Sequence, residues 1–353
     1  MSNHKQSQAT KQPTKVTIND VARAAGISSM TVSRTLRDPE KVAPATREKV
    51  RIAIEELNYI PDLAAGTLSS RKSTMIAVVL PSLFFEGHSH TINVMSRRLR
   101  DAGFHVLLGD NDYTGKEEQE LIRIILGRRP AAVVVVNSVH SPEGRDMLGR
   151  SGVPVVEAWH LPDVPLDCVV GFSHYEVGLA LTRLLLDQGH ERIGFIGCRL
   201  DGDLRGRDRH DAFQQAMEEH GLSSERVVLL DGTAADIHIG RDGIVALRER
   251  FPDTSAVLCL SDRIAMGVLM ECRRRGIAVP EELAVVGHGN FDFGEYLEPS
   301  LTTSSFDAEA IGEAIAMVLL KRINGETVGK DEAFVDVGFT IIERDSTRQA
   351  DDA

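Results

Sequence analysis

No run of apolar residues in this chain approaches the roughly 18–20 needed to cross a bilayer. The polar opening MSNHKQSQATKQPTK has no hydrophobic segment of the kind a secretory leader requires. Both features predict a cytoplasmic protein with no membrane partner. Cysteine is scarce: Cys168, Cys198, Cys259 and Cys272 stand 30, 61 and 13 residues apart. That spacing matches neither a zinc site nor a disulfide scaffold, so buried thiols and no metal are expected. Catalytic signatures are missing too. There is no G-x-S-x-G elbow, no phosphate-binding loop with its lysine, no H-E-x-x-H, and no G-x-G-x-x-G opening the first helix. His88-Ser89-His90, His288 near Asp292, and Glu157 are candidate pieces, but they form no recognisable set. A His88/His90 metal pair stands against the plainer reading of polar loop residues. No enzyme activity and no cofactor are expected.

What the chain does contain is unevenly charged. The net charge is −12 over 353 residues, yet residues 1–72 hold twelve Lys/Arg against seven Asp/Glu, leaving −17 for the rest. A small basic head on an acidic body points to a polyanionic partner for the head alone. At 42% hydrophobic residues the chain has the composition of a globular protein with room for two or three domains.

From about Thr74 onward, β-rich runs alternate with helical patterns. The runs are 75–82, 105–110, 131–137, 154–159, 168–173, 192–197, 226–232, 255–261 and 282–289. Continuous apolar strands are buried on both faces, which predicts parallel sheets between layers of helix, an α/β body. Nine such units exceed one compact sheet, and GHERIGFIG restarts the pattern midway, so two similar lobes are expected. Ligands of such sheets sit beyond the carboxyl ends of the strands.

The first 60 residues read as short helices without strands. Thr17 and Asp20 resemble a capping box opening a helix that Gly26 ends. Ser28 caps a second helix reaching about Arg37, and a third spans roughly Pro44 to Leu57 with Asn58 as its stop. On the second helix, Ser29, Met30, Ser33, Arg34 and Arg37 fall within an arc of about 140°. Thr31, Val32, Thr35 and Leu36 lie opposite, where they can pack on Val21, Ala25 and Ile27. An exposed arc of two arginines, two serines and a methionine has the chemistry of a base-reading surface. Arginine grips guanine O6 and N7, serine serves phosphates or base edges, and methionine lies against a thymine methyl. A solvated helix face is the alternative that the arc alone leaves open.

The stretch TINDVARAAGISSMTVSRTL, followed by TREKVRIAIEELNYIP, resembles the DNA-binding head of the LacI/GalR family of bacterial repressors. The body segments AVLCLSDRIAMG, GIAVPEELAVVG and PSLTT extend that resemblance over nearly the whole chain. It implies an N-terminal all-α helix-turn-helix head with a hinge helix, then a two-lobed body like a periplasmic binding protein. Homodimers would place two heads on a palindromic double-stranded DNA operator. The implied division is a disordered tail over 1–14, the head over 15–60, the hinge helix over 61–73 and the body over 74–347. Its lobes would comprise about 74–170 with 302–330, and 171–300 with 333–347. By position, Ser29, Met30 and Arg34 would read bases, Thr17, Ser28, Thr31 and Ser33 would touch phosphates, and Leu68 would wedge a minor-groove step. Asp62 and Gly66 depart from the family's hinge pattern. With no leucine heptad after FTIIERDSTRQADDA, a dimer and not a tetramer is expected.

The same resemblance places the effector among Phe84, Phe85, Asn137, Trp159, Arg207, Arg209, Asp262, His288 and Asn290. Most of the family reads G-[YF]-D-[DN] where this chain has Gly287-His288-Gly289-Asn290. The carboxylate that would bond a neutral sugar and repel an anion is missing, while the loop CRLDGDLRGRDRH offers four arginines suited to a carboxylate. Within the family, PVVEAW, VGFSHYE, GCRLD, ECRRRGIAVP and DVGFTI resemble gluconate-utilisation repressors. That implies a repressor released from its operator by a sugar acid such as gluconate or gluconate 6-phosphate. Regulators of 2-ketogluconate, idonate or a neutral sugar are the nearest alternatives, and a sugar-binding module or enzyme without DNA function is the alternative from a different class.

Overall fold

In a computed structural model of the chain, residues 16–61, 73–81, 86–111, 115–136, 141–199 and 202–348 are described. They fall into two compact units, Met1–Ser73 and Thr74–Ala353.

The first unit carries α1 (Ile18–Ala25), α2 (Ser29–Arg37) and α3 (Pro44–Leu57). Local chemistry sets each boundary. The Asp20 carboxylate accepts the Thr17 N–H at 2.9 Å and its hydroxyl at 2.7 Å, bonds that hold the Asp20 carboxyl below its usual range. Ser28 Oγ accepts the Thr31 N–H at 3.2 Å, capping α2. Asn58, with φ +47°, ends α3. The core is Val21, Ala22, Val32, Val50 and Ala53, flanked by Ile18, Ala25, Ile27, Ile54, Leu57 and Tyr59. Leu36 departs from the packing arc expected of it and is exposed. It lies in the last turn of α2, beyond the helix's buried contacts at Val32 and Thr35.

The second unit holds strands β1 to β12, in chain order Met75–Leu80, His105–Asp110, Ala132–Val136, Val155–Ala158, Cys168–Gly171, Ile193–Cys198, Val227–Leu230, Ala256–Cys259, Ala284–His288, Thr302–Ser305, Phe334–Asp336 and Thr340–Ile342. They form two six-stranded sheets. The first has the order β11-β5-β4-β3-β1-β2 and the second β12-β10-β9-β8-β6-β7. The helices are α4 (Glu86–Asp101), α5 (Gly115–Gly127), α6 (Pro142–Arg150), α7 (His174–Asp187), α8 (Leu204–Glu219), α9 (Ile237–Arg250), α10 (Asp262–Arg275), α11 (Ala308–Ile323) and α12 (Lys330–Ala333). Among the described pairings only β10 with β12 is antiparallel. Each of the nine apolar runs contains a strand. β2 alone among them is largely exposed, because it closes one edge of its sheet.

Three strands have no such signal. β10 is TTSS, buried because its hydroxyls find partners: Thr302 Oγ1 bonds the Arg344 carbonyl at 3.0 Å and Thr303 Oγ1 bonds Asp262 at 2.6 Å. β11 and β12 are three residues each. Their pairing corrects the expected lobe boundaries. Thr302–Ser305 joins the second sheet through β9 and Phe334–Asp336 joins the first through β5, each opposite to the lobe expected for it, while Thr340–Ile342 joins the second sheet as expected of 333–347. Helix α11 packs on α4 in the first lobe, where Arg98 Nε meets Glu313 at 2.6 Å. None of the described helices is long and apolar enough to cross a membrane.

Helices α9 and α10 cross where both carry glycine. A Cβ on Gly240 would stand 1.8 Å from the Ile264 carbonyl oxygen, and one on Gly267 would stand 2.1 Å from that of Ile237. Backbone cannot yield as a side-chain tip can. Alanine in a helix ordinarily stabilises relative to glycine, but Gly240→Ala is expected to cost about 1–3 kcal/mol or more by overpacking. Gly127→Ala, with nothing within 4 Å of the added carbon, should leave the melting temperature unchanged or raised. Thermal denaturation of the two variants checks the reversal of sign.

Candidate functional site

In the first unit, α2 presents Met30 at 81% exposure beside exposed Ser33, Arg34 and Arg37, with Ser29 half-buried. Arg37 is drawn to Asp38 at 3.0 Å, whereas Arg34 makes no ion pair among the described residues. Thr17 and Ser28 are exposed and Thr31 is half-buried. The Ser28 and Thr31 hydroxyls bond one another at 2.9 Å, so both double as caps of the helix they flank. Leu68 lies outside the described residues.

In the second unit the chemistry gathers on α8. Arg205 and Arg209, four residues apart, share a helix face and are 7% and 6% exposed. Arg207 turns about 200° away from Arg205 and is exposed, which corrects its expected place in the site. Arg209 Nη1 donates to His174 Nδ1 at 2.7 Å and Nη2 donates to the Leu260 carbonyl at 3.3 Å, while its buried Nε has no hydrogen-bond partner among the described residues. Arg205 Nη1 donates to His88 Nε2 at 2.9 Å. A guanidinium has no acceptor, so each imidazole nitrogen facing it is unprotonated. The His174 proton therefore sits on Nε2, which donates to the Trp159 carbonyl at 2.8 Å. Burial, reinforced by Arg209, drives the His174 pKa well below its ordinary value. His288 is likewise buried and shifted down, first by desolvation and then by Arg209 and Arg205, with Nδ1 bonded to Ser304 Oγ at 2.7 Å.

Aromatic rings close around these groups. Phe172 and Phe306 stack at 4.8 Å, Trp159 meets Phe306 edge-on at 4.7 Å, and His88 meets Trp159 edge-on at 4.6 Å. Trp159 follows β4 and Phe172 follows β5 of the first sheet; His288 ends β9 and Phe306 follows β10 of the second. All four lie at or just beyond carboxyl ends of strands, where an open α/β sheet places its ligand. The Arg205–His88 bond joins α8 of the second lobe to α4 of the first.

Several expected site residues are otherwise employed. Asp262 is buried, with Oδ1 accepting from Thr303 Oγ1 at 2.6 Å and Oδ2 from the Phe291 N–H at 2.9 Å; burial pushes its carboxyl up to about 6. Asn290, at φ +49°, accepts from Arg344 Nη2 at 2.9 Å and donates to Ser305 Oγ at 3.2 Å. Both fasten the loop after β9 instead of facing an open site. Gly289 has φ +124°, a backbone that disfavours any side chain, so the missing carboxylate is replaced by a local fold that suits glycine. Trp159 is only 1% exposed, wedged beneath Gly87 of α4. Phe84, Phe85 and Asn137 lie outside the described residues. His88 is buried while His90 is exposed, so the two do not converge on a metal.

Arg205, His174, Phe172, Phe306, and His88 in this role, are not among the site residues that the sequence predicts. The helical repeat could have paired Arg205 with Arg209; nothing in the sequence places His174 against either. Electrostatically, the two guanidinium groups are buried with neutral imidazoles beside them. Asp203 approaches Arg205 Nε at 4.0 Å, and desolvation draws Arg209 down to about 10. Asp208, pushed up to about 6 by burial, faces His160 at 3.5 Å.

Comparison with known proteins gives the geometry a context. Residues 17–62 match the family model for bacterial regulatory proteins of the lacI family, and residues 182–347 match the periplasmic binding protein-like domain. The HTH-type transcriptional regulator GntR of Pseudomonas aeruginosa is 34% identical over 346 residues, 98% of each chain. GntR of Escherichia coli K12 is 32% identical over 324 residues, 92% of this chain and 96% of that one. Among solved structures, a LacI-family regulator from Silicibacter pomeroyi superposes with a TM-score of 0.88 at 30% identity, covering 95% of this chain and 100% of its own.

If the guanidinium bond sets the tautomer, His174 stays neutral in the folded protein with its proton on Nε2. Proton–nitrogen NMR correlation of the imidazole between about pH 5 and 8 should show an unprotonated Nδ1, a protonated Nε2 and no titration. A midpoint inside that window would contradict the assignment.

Proposed function

The chain belongs to the LacI family of bacterial regulatory proteins, and on that premise we propose a homodimeric repressor that a sugar acid, gluconate first, releases from a palindromic operator. The observation that carries the effector class is Arg209, buried on α8 with its terminal nitrogens on a neutral imidazole and a carbonyl and its Nε without a hydrogen-bond partner among the described residues. A desolvated cation is costly where no anion is bonded to it. A carboxylate entering beside Arg209 would offset that cost, and a neutral sugar would not. The resemblance to gluconate-utilisation repressors and the relatives named GntR support the same choice.

The effector would be held by Arg209 and Arg205, with His288 within reach of hydroxyls and Phe84, Phe85 and Asn137 supplied by the loops after β1 and β3. In the head, Ser29, Met30 and Arg34 would read base edges while Thr17, Ser28, Thr31 and Ser33 meet phosphates. Leu68 would wedge the minor groove. The exposed side chains of Leu107 and Leu108 on edge strand β2 support a dimer, since apolar surface on a sheet edge calls for a cover. Effector binding would shift the balance between dimer states by its difference in affinity for them, about 1–3 kcal/mol in such couplings.

Calorimetry against gluconate, gluconate 6-phosphate, 2-ketogluconate and glucose tests the effector class; glucose binding best would sink it. Arg209→Gln should weaken acid binding by about 1.5–3 kcal/mol, the worth of a hydrogen bond to a charged group, while Arg207→Gln should change it little. For the head, operator binding should fall steeply with salt. Arg34→Ala should cost about 1–3 kcal/mol and relax preference at one base pair. Anisotropy titrations on matched and altered duplexes measure both effects; a uniform loss across sequences would reassign Arg34 to the phosphates.

A further inference from the structure

Trp159 has φ +71°, a left-handed backbone that a bulky residue adopts only where its surroundings hold it. Among the contacts that hold it are two hydrogen bonds of its backbone. The Trp159 N–H donates to the Val170 carbonyl at 2.9 Å, within the first lobe. The Trp159 carbonyl accepts from His174 Nε2 at 2.8 Å, and that imidazole accepts from Arg209 at 2.7 Å through its other nitrogen. The three residues therefore form one chain of hydrogen bonds from α8 of the second lobe, through the first residue of α7, to the end of β4 in the first lobe. Burial keeps the chain out of water, where each bond is electrostatically stronger than at a surface. Its polarity has one sense, because a guanidinium only donates and a carbonyl only accepts.

We propose that His174 is a positioning residue coupling the acid seat to the first lobe: Nδ1 orients Arg209, Nε2–H holds the strained Trp159 turn, and an anion engaging Arg209 is felt at Trp159. This rests on the reading of Arg209 as the acid receptor. An acid that draws the guanidinium toward itself loosens its bond to Nδ1. The imidazole then loses the partner that fixes its ring, and the bond holding the Trp159 carbonyl loses its alignment. A strained turn released at one bond relaxes toward ordinary backbone, which makes Trp159 a bistable element at the lobe boundary.

Trp159 is the sole tryptophan of the chain, so its fluorescence reports this position alone. Two variants divide the relay. In His174→Asn the short amide stands where Nδ1 was and can accept from Arg209 without reaching the Trp159 carbonyl. In His174→Gln the longer amide reaches the Nε2 position and can donate to that carbonyl without accepting from Arg209. Without ligand, the Asn variant should shift Trp159 emission clearly, and the Gln variant should stay nearer wild type. Arg209→Gln should shift it as well, although it reaches Trp159 only through His174. With gluconate as probe, calorimetry should rank the variants the other way, the Gln variant binding roughly tenfold more weakly than the Asn variant. Both should lose the change in emission that gluconate causes in wild type.

Melting temperatures accompany each measurement, since general destabilisation moves both readouts in the same order. The proposal is overturned if the two His174 variants rank alike on emission and on binding, or if either His174→Asn or Arg209→Gln leaves ligand-free emission unchanged. Should gluconate and the other sugar acids bind wild type not at all, the effector reading fails, and the ligand-free spectra still decide whether His174 ties Arg209 to Trp159.

Discussion

A guanidinium can donate hydrogen bonds but never accept one, and the centre of the body is arranged around that constraint. Once Arg209 faces His174, the imidazole must be neutral, with its one N–H proton on Nε2 and directed at the Trp159 carbonyl. Once Arg205 faces His88, that ring too must offer a bare nitrogen. The hydrogen bonds of Arg209 thus go to neutral groups. Of the carboxylates nearby, Asp262 is bonded at both oxygens and Asp208 faces His160, while Asp203 stands 4.0 Å from Arg205 Nε and its charge favours the ionised form of Arg209. The site keeps positive charge in a medium of low dielectric, which is the condition under which an incoming carboxylate gains most from a charge-assisted bond.

Most of the scaffold around this site is legible in the sequence because it rests on local rules. A buried parallel strand must be apolar on both faces, and each of the nine runs that obey this holds a strand. The head's three helices begin and end at Thr17, Gly26, Ser28, Pro44 and Asn58, residues whose side chains or backbone tolerances do the capping. The failures share a cause as well. β10 lacks an apolar run because its burial depends on hydroxyl partners more than forty residues away, at Arg344, Ser346 and Thr347. Sequence periodicity carries no trace of such pairings.

The site itself is less legible than the scaffold, and the reasons are physical. Position finds Arg209, yet it favours Arg207 over Arg205 although a helix sets residues two apart on different sides. His88 reads as a loop residue because its sequence neighbours are polar; its burial comes from Trp159 and α8, which only the fold brings near. Asp262 and Asn290 carry the right chemistry for ligand contact, and the fold spends that chemistry on securing the turn after β9. A polar residue beside a cleft is satisfied by whichever partner the folded chain brings to it, and sequence alone does not say which partner that is.

The return of α11 and β11 to the first lobe has a mechanical consequence. Because the first lobe takes helix α11 and strand β11 from the second half of the sequence, the backbone passes between lobes three times, at residues 172–173, 306–307 and 337–339. Phe172 and Phe306 occupy the first two passages and stack on each other at 4.8 Å, with His174 4.5 Å from Phe172. Any movement of one lobe against the other must turn about these strands of backbone, and so must rework the contacts of those rings. Arg209 is bonded to His174, which packs on Phe172, and Trp159 meets Phe306 edge-on, so both adjoin the same stack. Lobe orientation and the surroundings of Arg209 therefore draw on one set of contacts, and on the proposed function an effector seated beside Arg209 would bias one lobe against the other through them.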